Sequence, residues 1–86
     1  MEETKVIKVL LLSSQEIVVS EIEEIAAEFG DPNCKLKTPY KIVDGALHKW
    51  MEDYTEQNEI MINSDKIITL VTPSPMIFEQ YSKVTS

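Results

Sequence analysis

The chain has 86 residues, of which 43% are hydrophobic and 27% charged, and its formal net charge is −7. This length predicts one domain spanning residues 1–86. The fraction of charged residues is too low for a disordered tail, and no apolar run approaches the roughly 18 residues of a membrane helix. All eight basic residues are lysine, and a net-negative chain without arginine is a poor candidate for nonspecific binding to duplex nucleic acid.

The first predicted elements form a β-hairpin. Residues 5–12 are mainly β-branched and aliphatic, and they alternate between two faces as a strand requires. Residues 13–16 are a polar turn, and residues 17–19 resume an extended chain.

Residues 20–30 are compatible with two structures. As a helix, the segment has a capping box formed by Ser20 and Glu23, and Gly30 ends it. As a strand, its buried alternation shifts near Glu21, which requires a bulge or a sharp bend. Local propensity favours the helix, but tertiary context often overrides local propensity.

The next predicted strand runs from Cys34 to Val43, between turns at residues 31–33 and 44–45. Alternate residues from Cys34 to Ile42 are expected on one face. Pro39 has no N–H to donate, so the strand should lie at a sheet edge or be interrupted there.

Three more strands and a helix are predicted in the rest of the chain. The strands are residues 47–54, 60–62 and 67–71. Ser74 is a predicted N-cap, Pro75 occupies the first helical position, and the helix continues through residues 76–83. Several short strands with one terminal helix predict a mostly β fold, a small and strongly bent sheet or barrel.

No enzyme is predicted. Cys34 is the only cysteine and His48 the only histidine, so a zinc site lacks its ligands and a Cys–His catalytic pair needs two separate predicted strands to meet. No loop has calcium-binding or phosphate-binding spacing. We predict no catalytic residue, no metal site and no cofactor. The single cysteine and the acidic first residues favour a cytoplasmic protein without a signal peptide.

One row of lysines has a defined geometry. Lys35, Lys37 and Lys41 lie on one predicted strand face, as a phosphate track requires. We favour the alternative, in which these lysines pair across the sheet with glutamates, the candidates being Glu21, Glu23 and Glu24.

Four aromatic residues are candidates for stacking on nucleic-acid bases, a contact that needs no arginine. The more common role of such residues is packing, which we favour for all four: Tyr40, Trp50, Tyr54 and Tyr81.

The segment Ile60-Met61-Ile62-Asn63-Ser64-Asp65-Lys66-Ile67-Ile68-Thr69-Leu70 resembles the second signature of the Sm and Sm-like (LSm) proteins. Asn63-Ser64 stands where that family has Arg-Gly. Asn33 followed by Leu36 resembles part of the first signature. The whole chain is similar to small Sm-like proteins from T-even-type phages of marine cyanobacteria.

This resemblance implies a five-stranded, strongly bent open barrel with a short C-terminal helix. It implies a long bent second strand over residues 20–29, so we predict a strand there. It also implies a homo-oligomeric ring formed by edge-strand pairing, which binds single-stranded nucleic acid at its pore. By position, the implied contacts are Asn33, Asn63 and Ser64, and we add Asp31, Lys35 and Lys66 as neighbours with suitable charge or chemistry.

The predicted function is therefore a ring-forming Sm-like protein that binds single-stranded nucleic acid, RNA in preference to DNA, and acts in RNA or DNA processing. The alternative is an acidic adaptor or regulatory module for a phage or host protein, with no nucleic-acid binding. Neither role involves a membrane, and a phage-encoded chain would act in the host cytoplasm.

Overall fold

In a computed structural model, which describes residues 6–85, the chain forms an antiparallel sheet and one α-helix. Lys5, the first residue of the predicted opening strand, lies outside the described residues. The helix, α1, is Pro75–Thr85, and a 3₁₀ turn occupies Ser64–Lys66. The strands are β1 (Ile7–Leu12), β2 (Ile17–Glu24), β3 (Cys34–Val43), β4 (Ala46–Lys49), β5 (Glu59–Ile62) and β6 (Ile67–Val71). Within the described range, no helix has both the length and the apolar character needed to cross a membrane.

The sheet is open and its order is β4–β3–β2–β1–β6. The fifth strand lies off this path and pairs with residues 34–37 of β3, whereas β4 pairs with residues 40–43. Because β2 occupies one edge of β3, β4 and β5 lie end to end along its other edge. The five strands that the family resemblance implies are therefore one too few, whereas the residue pattern predicted all six, including separate strands over residues 47–54 and 60–62. Residues 50–58 loop out and divide this outer strand in two. The predicted strand over residues 47–54 ends at Lys49 for the same reason.

The division of the outer strand coincides with Pro39, as the missing N–H predicts. On either side of the break, Thr38 donates its N–H to the Asn58 carbonyl oxygen (2.6 Å) and Trp50 donates to the Pro39 carbonyl oxygen (3.0 Å). The interruption predicted at Pro39 is confirmed. Thr38 has a φ of 48°, which breaks the alternation of faces. Cys34 and Leu36 are buried as expected, but the next buried residue is Pro39, so the common face predicted from Cys34 to Ile42 is wrong beyond Leu36.

The ambiguous segment is a strand as far as Glu24 and a loop over residues 25–33. The register between β2 and β3 shifts between Val19 and Glu21, which confirms the predicted bulge. The helix interpretation is wrong there, since the Ser20 hydroxyl donates to the Lys37 carbonyl oxygen (3.0 Å) instead of capping a helix. The strand predicted up to residue 29 is too long, because β3 begins at Cys34, opposite Glu24. The Ile25 N–H still donates to the Asn33 carbonyl oxygen (2.9 Å), after which the chain turns away.

A small apolar core lies under the first three strands. Leu10 and Val18 are opposite each other on β1 and β2, and both are fully buried. The core comprises Leu10, Leu12, Val18, Cys34 and Leu36, with Ile22, Trp50, Ile62 and Ile67 packed around it. This arrangement places the start of β3 and the end of β5 on the same core.

Helix α1 begins as predicted and is attached to the sheet through one buried residue. Ser74 accepts the Ile77 N–H at 3.3 Å, which confirms it as the N-cap. Tyr81 is the buried residue of this helix. Its hydroxyl accepts the Glu21 N–H (3.0 Å) and lies 3.0 Å from both the Lys37 and Thr38 carbonyl oxygens. The helix is thus held against the bulge of β2.

The two outer edges of the sheet have no strand partner within residues 6–85. One edge is β6, where Ile68 is 62% exposed and Leu70 and Val71 are also exposed. The other edge is the β4–β5 row. Unpaired strand edges carry free N–H and C=O groups that favour pairing with another strand.

Candidate nucleic-acid interface

Two polar segments meet at one end of the sheet, the loop 25–33 and the turn 63–66. They meet because Cys34, at the start of β3, is paired with Ile62, at the end of β5. The residues just before Cys34 and just after Ile62 are therefore neighbours. The Ser64 N–H donates to the Asn33 Oδ1 (2.9 Å), and the Asn63 Nδ2 donates to the Gly30 carbonyl oxygen (3.3 Å). Two hydrogen bonds thus connect segments some thirty residues apart.

A cavity of about 430 Å³ lies between these two segments. Four of the six predicted site residues line it, namely Asp31, Asn33, Asn63 and Ser64. We call this the loop cavity. Amide side chains such as those of Asn33 and Asn63 offer both donors and acceptors. Such groups suit the polar edges of an unpaired base.

The two predicted lysines lie outside the loop cavity. Lys66 lines an adjacent cavity of about 340 Å³, to which Asn63 also contributes. Among residues 6–85 its ammonium group forms no ion pair. Lys35 instead pairs with Glu59 on the neighbouring strand, with 3.6 Å between Nζ and Oε1. Lys66 is consequently the better placed of the two to meet a ligand at this end of the sheet.

The loop cavity is acidic. Glu28, Asp31 and Asp65 all contribute to its lining, and no lysine of residues 6–85 does. Carboxylates at this density repel a phosphate placed inside the cavity. The loop cavity itself therefore disfavours a phosphate, and the lysine of this end of the sheet, Lys66, lines the adjacent cavity.

The lysine row on β3 is neutralised by glutamates. Lys37 lies 3.3 Å from Glu23 and 4.0 Å from Glu21. A hydrogen bond to Glu23 is the main reason that the pKa of Lys37 is raised. Lys41 pairs with Glu16 at 3.5 Å. The predicted cross-sheet pairing is confirmed for Lys37, whereas Lys35 and Lys41 pair with glutamates other than those predicted. The row is not a free phosphate track.

Three of the four candidate stacking residues pack within the fold, as favoured. Trp50 packs on the core and donates its indole N–H to Glu16 Oε2 (3.2 Å). Tyr40 and Tyr81 form an edge-to-face pair with centroids 6.1 Å apart. Tyr54 is 82% exposed. The packing role predicted for Tyr54 is therefore wrong.

Phe29 is a candidate site residue that the sequence reasoning missed. It is fully exposed and lines the loop cavity. Its position before Gly30-Asp31-Pro32, a cluster of chain breakers, was the available signal. An exposed ring beside amide groups provides a stacking surface for a base.

The single cysteine and histidine lie near opposite ends of β3. Cys34 is its first residue, and His48 is opposite Lys41. Burial raises the pKa of the Cys34 thiol, which disfavours the reactive thiolate. Among residues 6–85, no three His, Cys, Asp or Glu side chains are grouped so that they could hold a metal ion.

Comparisons with known proteins place the chain in a family without assigning an activity. No curated protein matches it. A family model described as "Family of unknown function (DUF6561)" matches residues 5–86, nearly the whole chain. The chain therefore belongs to the DUF6561 family of unknown function.

Proposed function

We propose that the protein forms a homo-oligomeric ring of the Sm-like type and binds single-stranded nucleic acid, RNA in preference to DNA, at the loop cavity. Its role is then in RNA or DNA processing. The observation that supports this proposal is the hydrogen bond from the Ser64 N–H to the Asn33 side chain, in a cavity that the exposed ring of Phe29 also lines. The resemblance to the Sm-like family assigned Asn33, Asn63 and Ser64 to one site, and these three residues line one cavity.

Assembly is favoured by the two open edges of the sheet. Exposed apolar residues along β6, and a β4–β5 row that no other strand of residues 6–85 pairs with, make each edge a template for a further strand. If β6 of one copy pairs with the outer row of the next, a ring pairs both edges of every subunit. Such a ring also repeats the loop cavity once per subunit, so weak contacts at several subunits add up along one nucleic-acid molecule.

Binding at the loop cavity is expected to be base-directed. Phe29 stacks on a base, Asn33 and Asn63 contact its polar edges, and Lys66 meets the adjacent phosphate. Stacking contributes about 1–3 kcal/mol per base and tolerates any base. The acidic lining keeps phosphates outside the cavity, so affinity depends less on charge than in proteins with a basic groove.

A second candidate function is an acidic adaptor or regulator of another protein, without nucleic-acid binding. The observation in its favour is the charge pattern. Lys35, Lys37 and Lys41 are all paired with glutamates, and carboxylates line the loop cavity.

Fluorescence titration with oligo(U) and oligo(dT) at two salt concentrations separates the two functions. Nucleic-acid binding predicts saturable binding at low salt, tighter for oligo(U), and weaker binding at higher salt. Phe29→Ala should weaken it by about fivefold or more, as the loss of one stacked base implies. Lys66→Glu should weaken it too. Absence of binding at low salt would favour the adaptor.

Two matched variants control this experiment. Lys49→Glu makes the same charge change as Lys66→Glu at a second lysine without an ion pair among residues 6–85, far from the loop cavity. Tyr54→Ala removes another exposed ring, 82% exposed, near the other end of β3. If these controls weaken binding as much as Lys66→Glu and Phe29→Ala, the loop cavity is not the site.

Assembly is tested separately with Ile68→Lys. This side chain is exposed on the outer strand β6, and a lysine on an edge strand opposes strand addition. The variant should keep its circular dichroism spectrum and form smaller species in size-exclusion chromatography with light scattering. An unchanged mass would exclude β6 from the interface.

A further inference from the structure

A third cavity, of about 390 Å³, lies at the opposite end of β3 from the loop cavity. It lies where the chain leaves β4 at Lys49 and turns through residues 50–54. The Tyr54 and Thr55 N–H groups both donate to the Met51 carbonyl oxygen (2.9 and 3.1 Å), which closes this turn. We call it the turn cavity.

The apolar lining of the turn cavity is aromatic and sulfur-containing. Trp50, Met51 and Tyr54 all line it. The Trp50 ring is fixed on one side by the core and at its nitrogen by Glu16. Tyr54 and Met51 are exposed, so both are available to a ligand. Faces of tryptophan and tyrosine attract cations, arginine most often.

The charges around the turn cavity also favour a cation. Glu52 and Asp53 line it, and neither forms an ion pair with another residue in the range 6–85. Lys41 is neutralised by Glu16 at 3.5 Å. Among residues 6–85, Lys49 is the one remaining lysine in a lining that also includes His48, so the unpaired carboxylates exceed the unpaired ammonium groups. A chain of net charge −7 adds long-range attraction for a basic partner.

We infer that the turn cavity binds a basic segment of a partner protein, with an arginine or lysine side chain entering between Trp50 and Tyr54. The cation then lies against the aromatic faces while Glu52 and Asp53 pair with it or its neighbours. This inference does not depend on nucleic-acid binding, because the two cavities are at opposite ends of β3. A ring carrying both sites would connect a nucleic acid to a basic protein.

The emission of Trp50, the only tryptophan, reports on this cavity and also on the cavity that Lys66 lines, because Trp50 contributes to both. The effect of Tyr54→Ala, at a residue of the turn cavity, therefore assigns a response to this cavity. The full chain is titrated with a short peptide of alternating arginine and glycine, and with the same peptide carrying glutamine in place of arginine. The arginine peptide should shift the Trp50 emission saturably, and the glutamine peptide should not. Tyr54→Ala should weaken arginine-peptide binding about two- to fivefold, the range of one exposed cation–π contact.

The charge contribution is measured with two double variants. Glu52→Gln with Asp53→Asn removes two carboxylates from the cavity, whereas Glu24→Gln with Glu79→Gln removes two elsewhere. Binding should weaken severalfold more in the first pair than in the second. Equal loss in both pairs would mean nonspecific attraction and would overturn the inference. No Trp50 response to the arginine peptide at low salt, or a larger response to oligo(U) that requires Tyr54, would overturn it as well.

Discussion

Replacing Tyr81 by phenylalanine removes one oxygen atom from the contact between helix α1 and the bulge of β2. Tyr81 is only 2% exposed, so water cannot replace the lost group. The hydroxyl accepts the Glu21 N–H and lies within hydrogen-bonding distance of the Lys37 and Thr38 carbonyl oxygens. The substitution keeps the ring and its edge-to-face contact with Tyr40. The change therefore isolates the hydrogen bonds from the packing.

The expected loss of stability follows from the Glu21 N–H, which is left without an acceptor. A buried N–H that loses its acceptor costs about 1–3 kcal/mol, and the carbonyl oxygens keep a second lone pair and lose less. We expect the free energy of unfolding to fall by about 2 kcal/mol. For a domain of this size, that corresponds to a decrease in Tm of about 8–16 °C.

Urea unfolding followed by Trp50 emission measures this cost, at a fixed protomer concentration because assembly adds to apparent stability. Tyr54→Phe is the matched control, since Tyr54 is 82% exposed, and surface changes of this kind stay within about 0.5 kcal/mol. Equal stability of Tyr81→Phe and Tyr54→Phe would refute the view that the Tyr81 hydroxyl attaches α1 to the sheet.

Three further predictions concern titration, backbone strain and thiol reactivity. The pKa of Glu16 is lowered from its usual 4.5, mainly by the hydrogen bond from Ser14. Ionised Glu16 therefore stabilises the fold above pH 4.5, and this contribution disappears as the pH falls through the lower pKa of the folded state. Glu16→Gln should reduce the loss of stability that urea unfolding measures between these two pKa values, and an unchanged pH dependence would contradict this. Gly45 has a φ of 79°, so Gly45→Ala should cost about 1 kcal/mol in the same assay; a neutral result means that the turn relaxes. Cys34 is 5% exposed with a raised pKa, so its thiol should react far more slowly with a disulfide reagent when folded than in urea, and equal rates would show that it is accessible.

Elements set by local chemistry could be predicted from the sequence. The missing N–H of Pro39 predicted the interruption of the pairing along β3, and Ser74 beside Pro75 predicted the start of α1. The shift of alternation near Glu21 predicted the bulge. In each case the cause lies in the residue or its immediate neighbours.

Features set by partner strands could not be predicted in this way. The end of β2 at Glu24 depends on where β3 begins, and the end of β4 at Lys49, short of the predicted residue 54, depends on where residues 50–58 leave the sheet. The role of the Tyr81 hydroxyl depends on a contact some sixty residues away along the chain. The alternation of apolar and polar residues along a strand carries no information on contacts between residues so far apart in the sequence.

The candidate site was predicted only in part. Family resemblance, not composition, assigned Asn33, Asn63 and Ser64 to one place, and the pairing of β3 with β5 is the physical reason that they meet. Phe29 was missed because residues 20–29 were predicted as one strand, whereas β2 ends at Glu24 and Phe29 lies in the loop that follows. Lys35 was included for its charge, but its partner Glu59 comes from a strand paired beside it.

Native mass spectrometry of the full chain at micromolar concentration tests the central claim most directly, because a ring is the only closed assembly in which every subunit pairs β6 with the β4–β5 row of its neighbour. The account predicts one closed oligomer of fixed stoichiometry, reduced to smaller species by Ile68→Lys. A spectrum that contains only monomer would contradict it.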